Sequence, residues 1–495
     1  MTGTVTVPEA ASASASTSTR ERPRSFSVTG ERTRSSADPL TEDTTADVVV
    51  VGAGPGGSAL AAHLAGAGMD VVLLEKSAFP RDKVCGDALT PRAVKELGLL
   101  GVPTPADEGW HRNRGLRLIG GGHRVEIDWP GGEFPDYGLT KARTGLDETL
   151  ARFAQARGAR LHEQTMATEP LTGADGWITG IRTVARDSRG RRTGAEAVVT
   201  APLVVACDGV SSRTAVSMGR EKRDDRPMGV AVRTYHSSPR HADPYLESWV
   251  ELRAQTEGGL GGGVPGRRTA RGRTADGRGT SAQAPGEALP GYGWLFPLGD
   301  GTVNVGLGIL DTSPQFGTVD YRQVLREWIG AMGHEWEIDE TTQLERVRSA
   351  ALPMGFNRTP HFADGLMLVG DSAGMVSPFN GEGIDYALES ARIAADVIVT
   401  HQHKPRAAWR RALAEYPAIV RETLGGYVTL GRAFAALIGR PELMGLAIKY
   451  GMSVDALMAF AVRLMGNIQG NGRDADLADR VIAALVRAVP KTTND

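Results

Sequence analysis

Only two cysteines, Cys85 and Cys207, occur among 495 residues. That is too few for a disulfide scaffold or a cysteine-rich metal cluster, and no metal site is expected; a reducing cytoplasm is the natural location. Charge of either sign is not in surplus either. The 56 Lys and Arg nearly balance the 58 Asp and Glu, leaving a net charge of −2 and no general attraction for nucleic acid or a strongly anionic partner. No uncharged apolar run reaches the ~18 residues of a membrane-spanning helix. The stretch from Tyr427 to Met465 comes nearest, but Arg432, Arg440, Lys449, Asp455 and Arg463 interrupt it. Residues 1–45, rich in Ser, Thr, Ala and Arg, lack the apolar segment of a signal peptide and are expected to form a disordered tail. What is present is an ordinary globular composition, 41% hydrophobic, in a chain long enough for about three domains.

The organising stretch is Asp47 to Gly57. Four consecutive valines, Val48 to Val51, read as a buried strand, and Gly52, Gly54 and Gly57 fill a Gly-x-Gly-x-x-Gly pattern that turns it into a helix over Ser58 to Gly66. Gly52 permits the tight turn, Gly54 lets a pyrophosphate approach the backbone, and Gly57 lets helix pack on strand. The free amides and positive helix end then face phosphate. Glu75 ends the next strand, where it can accept from a ribose hydroxyl. Strand, glycines, helix and a carboxylate about 20 residues on together point to a dinucleotide.

The loop Phe79 to Asp87 follows directly on the cofactor strand. Arg81 and Lys83 are phosphate or substrate contacts, or solvated charges; Cys85 is a nucleophile or acid, or a small residue packed beside the cofactor. Leu116 to Trp129 alternates as a strand does. Arg143 stands at the start of an amphipathic helix over Gly145 to Arg157, where a cation opposes the helix dipole, so it serves the cofactor or a surface salt bridge with Asp147. A meander leads to the buried strand Leu203 to Cys207 and the turn Asp208-Gly209. From Met228 to Asp311 strands alternate, with Tyr292, Trp294 and Phe296 on one face as either core or an apolar wall for a hydrophobic substrate. Residues 256–288 between them, packed with Gly, Arg, Ala and Pro, read as a disordered insertion; no aromatic residues are interleaved with its arginines, so no nucleic-acid arm is expected. Finally Leu366 to Val369 delivers Asp371 to a glycine-rich turn, Gly381 and Gly383 included, that opens a long helix to about Thr400. Asp371 can accept from ribityl hydroxyls, and the amides near Gly381 to Ile384 can hold negative charge on a reduced flavin ring.

Together the Gly52 to Gly57 fingerprint with Glu75, the Asp208-Gly209 turn and the Gly370 to Gly383 segment resemble the FAD-dependent oxidoreductases built like p-hydroxybenzoate hydroxylase. The loop Pro80 to Gly86 and the Tyr-x-Trp-x-Phe-Pro at Tyr292 to Pro297 are similar to those of the geranylgeranyl reductase family, over roughly residues 46 to 470. Within it, the runs from Cys85 to Val94, Pro290 to Trp294 and Asn380 to Tyr386 look most like those of actinobacterial menaquinone reductases, which saturate one isoprene unit of the quinone side chain. The resemblance implies that Gly52, Gly54, Gly57 and Glu75 bind the ADP half of FAD. It places Arg143 and Asp371 at the pyrophosphate and ribityl part, Gly381 and Gly383 at the isoalloxazine, and Cys85 near the flavin face. Tyr292, Trp294 and Phe296 line the isoprenoid channel, and Cys85, Tyr292 and Trp294 are the catalytic candidates.

The expected architecture is therefore α/β, a Rossmann-like FAD-binding domain of p-hydroxybenzoate hydroxylase type with an antiparallel substrate sheet and a C-terminal helical region. Its segments are a tail at 1–45, FAD-binding residues 46–225 and 351–400, the sheet at 226–350 with its insertion 256–288, and helices over 401–495. The expected activity is reduction of an isoprenoid C=C bond in a quinone or prenyl lipid, with electrons from NAD(P)H or a small redox protein, since no second dinucleotide fingerprint is visible. A hydroxylase or halogenase on the same scaffold is the alternative. Halogenases carry a related Trp-x-Trp-x-Ile-Pro motif, in which Tyr292 and Phe296 stand here for the first Trp and the Ile. A flavin-bound lipid carrier without turnover is the alternative from another class. Leu443, Leu446, Ala447, Tyr450, Val454, Leu457 and Met458 recur at helical spacing beside Arg440, Lys449 and Arg463, which fits either an interfacial helix at the inner face of the cell membrane or packing on the FAD domain.

Overall fold

Strands covered on both faces are apolar at every position, not at alternate ones. Val48–Val51, Val71–Leu74 and Val204–Ala206 are of this kind, buried throughout. They are the centre of a six-stranded sheet ordered Phe362–Ala363, Leu366–Leu368, Val204–Ala206, Val48–Val51, Val71–Leu74 and Arg160–His162. Its pairings are parallel except at the Phe362–Ala363 edge. The helix Pro55–Gly66 packs against both Arg143–Ala156 and Ile384–His401. A mostly parallel sheet with helices packed on it, drawn from separated stretches of chain, is thus present. This computed structural model describes residues 38–254, 287–312, 316–470 and 475–494, so the expected disorder of 1–37 and of 256–286 lies outside the described residues.

A second, seven-stranded sheet is ordered Arg348–Pro353, Met228–Ser237, Thr302–Leu310, Gly291–Pro297, Tyr245–Trp249, Gly115–Gly120 and His123–Asp128. On one face Leu295, Val303, Val305, Leu307 and Ile309 form a core with Val324, Leu325 and Trp336. On the other, Trp294 and Phe296 cluster with Ala231, Leu246, Val462 and Ile468. Two corrections arise here. Residues 115–128, expected within the FAD-binding segment 46–225, belong to the seven-stranded sheet; the alternation of Leu116 and Leu118 specifies one apolar face but not which sheet the strand joins. The sheet is also not wholly antiparallel, because Gly115–Gly120 runs parallel to Tyr245–Trp249.

Two further boundaries shift. Leu40 is buried and donates its N–H to Thr165 Oγ1 at 3.0 Å, and Thr44–Thr45 pairs with Arg192–Thr200, so 38–45 are ordered and not tail. Glu287–Leu289 pairs with Leu252–Ala254, so residues 287 and 288 of the expected insertion are strand. Beyond His401 the described chain is helical, with Arg406–Ala412, Glu415–Ile438, Pro441–Leu446, Asp455–Met465 and Leu477–Ala488. No helix among the described residues is long and apolar enough to cross a membrane.

Candidate functional site

A cavity of about 1560 Å³ is lined in common by the Val51–Gly56 turn, the Gly291–Pro297 strand and the C-terminal helices. At its first end the wall is backbone. Gly52 has φ +100, and a Cβ there would sit 2.5 Å from the Cys207 carbonyl oxygen; one on Gly57 would sit 1.9 Å from the Gly52 oxygen. Both positions therefore exclude a side chain. Gly54 differs: the nearest atom to an added Cβ is Arg81 Nη2 at 3.9 Å, so this residue faces open cavity. Beside it the Glu75 carboxylate accepts from the amides of Ala53 (3.3 Å) and Ser77 (3.0 Å) and pairs with Arg81 (3.1 Å).

Arg81 and Lys83 are both ion-paired. Arg81 also pairs with Asp147 at 2.6 Å, and Lys83 with Asp371 at 2.6 Å. Arg143 holds Asp147 through two bonds of 2.7 Å, and both side chains are buried, so the pair expected at the surface is internal. Asp147, one turn on, offsets the cation at the helix start, and Arg143 holds its carboxyl below the usual range despite burial. The Arg143 side chain still reaches the cavity wall. Asp371, which also lines the cavity, follows the strand Leu366–Leu368. Gly381, at φ +77, would bring a Cβ no nearer than 3.7 Å to Leu352, and Gly383 caps the helix Ile384–His401.

Past this end the lining becomes aromatic. Tyr292, Trp294 and Phe296 all face the cavity, with Trp294 and Phe296 stacked at 6.1 Å and Tyr292 5.9 Å from Trp294. The Trp294 ring lies across Gly306, where an added Cβ would meet Cζ2 at 2.3 Å. The Tyr292 hydroxyl donates to the Asn380 carbonyl at 2.7 Å. Against this wall presses the Cys85–Gly86 turn, since a Cβ on Gly86 would lie 3.0 Å from the Phe296 ring and 3.5 Å from Trp294 Nε1. Burial pushes the Cys85 thiol and the Tyr292 phenol up, so both keep their protons at neutral pH.

Three polar residues of this region escaped sequence reasoning. Asn304 accepts from Trp294 Nε1 at 2.9 Å and donates to Asp87 at 2.7 Å, while the Tyr235 hydroxyl donates to Asp87 at 2.6 Å. A signal existed for Asn304. It shares a strand face with Gly306 and Gly308 while Val303, Val305 and Leu307 take the other, and a polar residue in so apolar a strand calls for partners.

At the far end Leu446, Ile448, Tyr450, Met452, Leu457 and Met458 line the cavity. Leu446 is 54%, Tyr450 61% and Leu457 46% exposed, so the cavity opens beside an apolar surface. The expected single interfacial helix is instead Pro441–Leu446 continuing through a π-helical turn, Ala447–Gly451, then a break at Met452–Ser453 before Asp455–Met465. Gly451 and Ser453 are weak helix formers, which explains the break. Arg463 is engaged by Asp476 and Asp479.

The family model described as FAD binding domain matches residues 45–401. The menaquinone reductase of Mycobacterium tuberculosis (strain ATCC 25618 / H37Rv) is 37% identical over 441 residues, 87% of this chain and 93% of that protein. The digeranylgeranylglycerophospholipid reductase of Methanocella arvoryzae is 30% identical over 389 residues, 77% of this chain and 83% of the relative. Among solved structures, a geranylgeranyl bacteriochlorophyll reductase-like protein from Thermoplasma acidophilum superposes with a TM-score of 0.66 at 18% identity, covering 90% of this chain and 100% of its own. The cavity suits the cofactor these matches imply. Gly54 and Gly381 each leave open space where a side chain would intrude, and the helices Pro55–Gly66 and Ile384–His401 both begin at the cavity wall.

Proposed function

The chain belongs to the geranylgeranyl reductase family of FAD-dependent oxidoreductases, and from that premise we propose that it saturates one isoprene unit of the menaquinone side chain. The observation that carries this reading is the single cavity in which the glycine turn and the Tyr292–Trp294–Phe296 wall meet. Bound and reduced, FAD supplies a hydride to one carbon of the alkene. Gly52, Gly54, Gly57 and Glu75 hold its ADP half, Arg143 and Asp371 its middle, and Gly381 and Gly383 its ring. Tyr292, Trp294 and Phe296 grip the prenyl chain by area and shape, since it offers no hydrogen bonds, and they exclude water. The second carbon needs a proton, and Cys85 and Tyr292 are the protonated acids on the wall beside it. The reductant is NAD(P)H or a small redox protein.

Mass spectrometry of quinones from a deletion strain tests this. The partly saturated menaquinone disappears and returns with the wild-type gene; an unchanged quinone profile would overturn the reading.

So apolar a substrate is not delivered through water, and the exposed Leu446, Tyr450 and Leu457 stand at the cavity's own mouth. We propose that this rim rests on the inner face of the cell membrane without spanning it. Flotation with anionic liposomes tests the contact: the protein rises with the vesicles, and a protein that stays in solution with or without substrate would exclude it.

A further inference from the structure

Asn304 sits between the substrate wall and the loop that approaches it, and both ends of its amide are engaged. Oδ1 accepts from Trp294 Nε1 (2.9 Å), and Nδ2 donates to the Cys85 carbonyl (2.8 Å) and to Asp87 Oδ2 (2.7 Å). Asp87 is itself a built feature. Its side chain is wholly buried, and its φ of 65 is one that few residues without a glycine's freedom adopt. Oδ2 also accepts from Tyr235 (2.6 Å), Oδ1 accepts from the Arg143 amide (3.2 Å), and the Asp87 amide donates to Cys85 Sγ (3.3 Å). Between these ties lies Gly86, where an added Cβ would meet both aromatic rings. One amide thus links the aromatic wall to the turn that carries the Cys85 thiol.

An apolar side chain of the same shape would fill the space equally well but leave the indole N–H, the Cys85 carbonyl and the Asp87 carboxylate each short of a partner. Resting on the reductase reading above, we propose that Asn304 is a positioning residue: through Trp294 and the Cys85–Gly86–Asp87 turn it sets the width of the slot that holds the alkene and the direction of the Cys85 thiol. The alkene has no polar handle, so the slot's walls alone decide whether its carbons stand in reacting geometry.

The test uses Asn304→Leu and the milder Tyr235→Phe, which removes one bond to Asp87 and leaves the wall intact. In each FAD-loaded protein, reoxidation of the reduced flavin is timed with menaquinone and, separately, with dioxygen. Iodoacetamide labelling of Cys85 and Cys207 is followed by peptide mass. Positioning predicts that reaction with menaquinone falls about 30-fold in Asn304→Leu and about 5-fold in Tyr235→Phe, while reaction with dioxygen stays within about 3-fold. Cys85 labelling changes by about 10-fold or more in Asn304→Leu, and Cys207 labelling does not. A general structural role would instead slow both flavin reactions together and alter both cysteines, which would overturn the proposal, as would unchanged reaction with menaquinone in a folded variant. If Asn304→Leu does not fold, Tyr235→Phe decides by the same contrast. If the wild type itself does not react with menaquinone, the reductase reading fails, and unchanged Cys85 labelling in both variants would separately overturn the positional tie.

Discussion

At one end of the cavity the wall is main chain: Gly52 and Gly54 line it, and Gly52 and Gly57 let backbone close on backbone behind it. At the other it is side chain: Tyr292, Trp294 and Phe296 stand out from a strand, with Gly306 flattened beneath to admit the indole. Recognition at the first end depends on atoms that are missing, at the second on atoms that are present. A methyl group added to the first and a ring removed from the second are therefore the opposite injuries, and each should spare the other end.

The sharpest contrast is Gly54→Val. The position is open, so the fold survives, but the added side chain occupies the pyrophosphate's path and the purified protein is expected to be colourless. A yellow variant with full FAD content would break the comparison at its first end. Trp294→Ala comes next. It should keep FAD and lose about 2 kcal/mol or more of long-chain substrate binding, about 30-fold in kcat/KM. FAD occupancy, melting temperature and alkene reduction on one preparation decide it. Normal turnover by a folded variant removes the strand from the substrate site, and joint loss of fold and flavin assigns it to the core.

A smaller effect falls on the joint between the ends. Burial pushes Asp87 up to about 6 from 3.8, against the pull of Tyr235 and Arg233 on one strand, Asn304 on the next and Arg143 on its helix, with Cys85 alongside. Because the folded-state value is raised, the stability this group contributes is complete below about pH 4 and is lost as pH rises through about 6. Turnover runs the other way, since the carboxylate accepts the bonds that hold the turn. Activity at pH 5 should be about tenfold below that at pH 7, and the step near 6 should vanish in Asp87→Asn. A step unchanged in that variant would assign it elsewhere. Smallest is Leu457→Ser at the mouth. Vesicle binding should weaken about 5-fold, with turnover of a detergent-dispersed short-chain quinone preserved; equal binding would take Leu457 out of the membrane contact.

What was legible in the chain followed the same division. The glycine-turn end is contiguous, so the valine strand, its turn and the helix after it could be read in place, as could the strand that leads to Asp371 and its glycine turn. The aromatic strand was legible too, because alternation places Tyr292, Trp294 and Phe296 on one face whatever that face meets. Partners distant in sequence were not. Asn304 meets Asp87 across 217 residues, and the hairpin of Gly115–Gly120 and His123–Asp128 joins a sheet whose other members all begin at or beyond Met228. The spacing of Arg143 and Asp147 announced their pairing but neither its burial nor the third member, Arg81, which joins it from another segment. The C-terminal apolar spacing was read as one helix, and only the break near Ser453 divides it.

The central claim is that one cavity holds FAD and an isoprenoid alkene together. Its most direct test is anaerobic: the protein is purified with FAD, reduced chemically, mixed with menaquinone, and the quinone is extracted for mass spectrometry. The account predicts that flavin reoxidation accompanies a product heavier by two hydrogen atoms, carried on the prenyl chain and not on the quinone ring. Reoxidation that yields only the ring-reduced quinol, or none at all from a fully FAD-loaded protein, would contradict it.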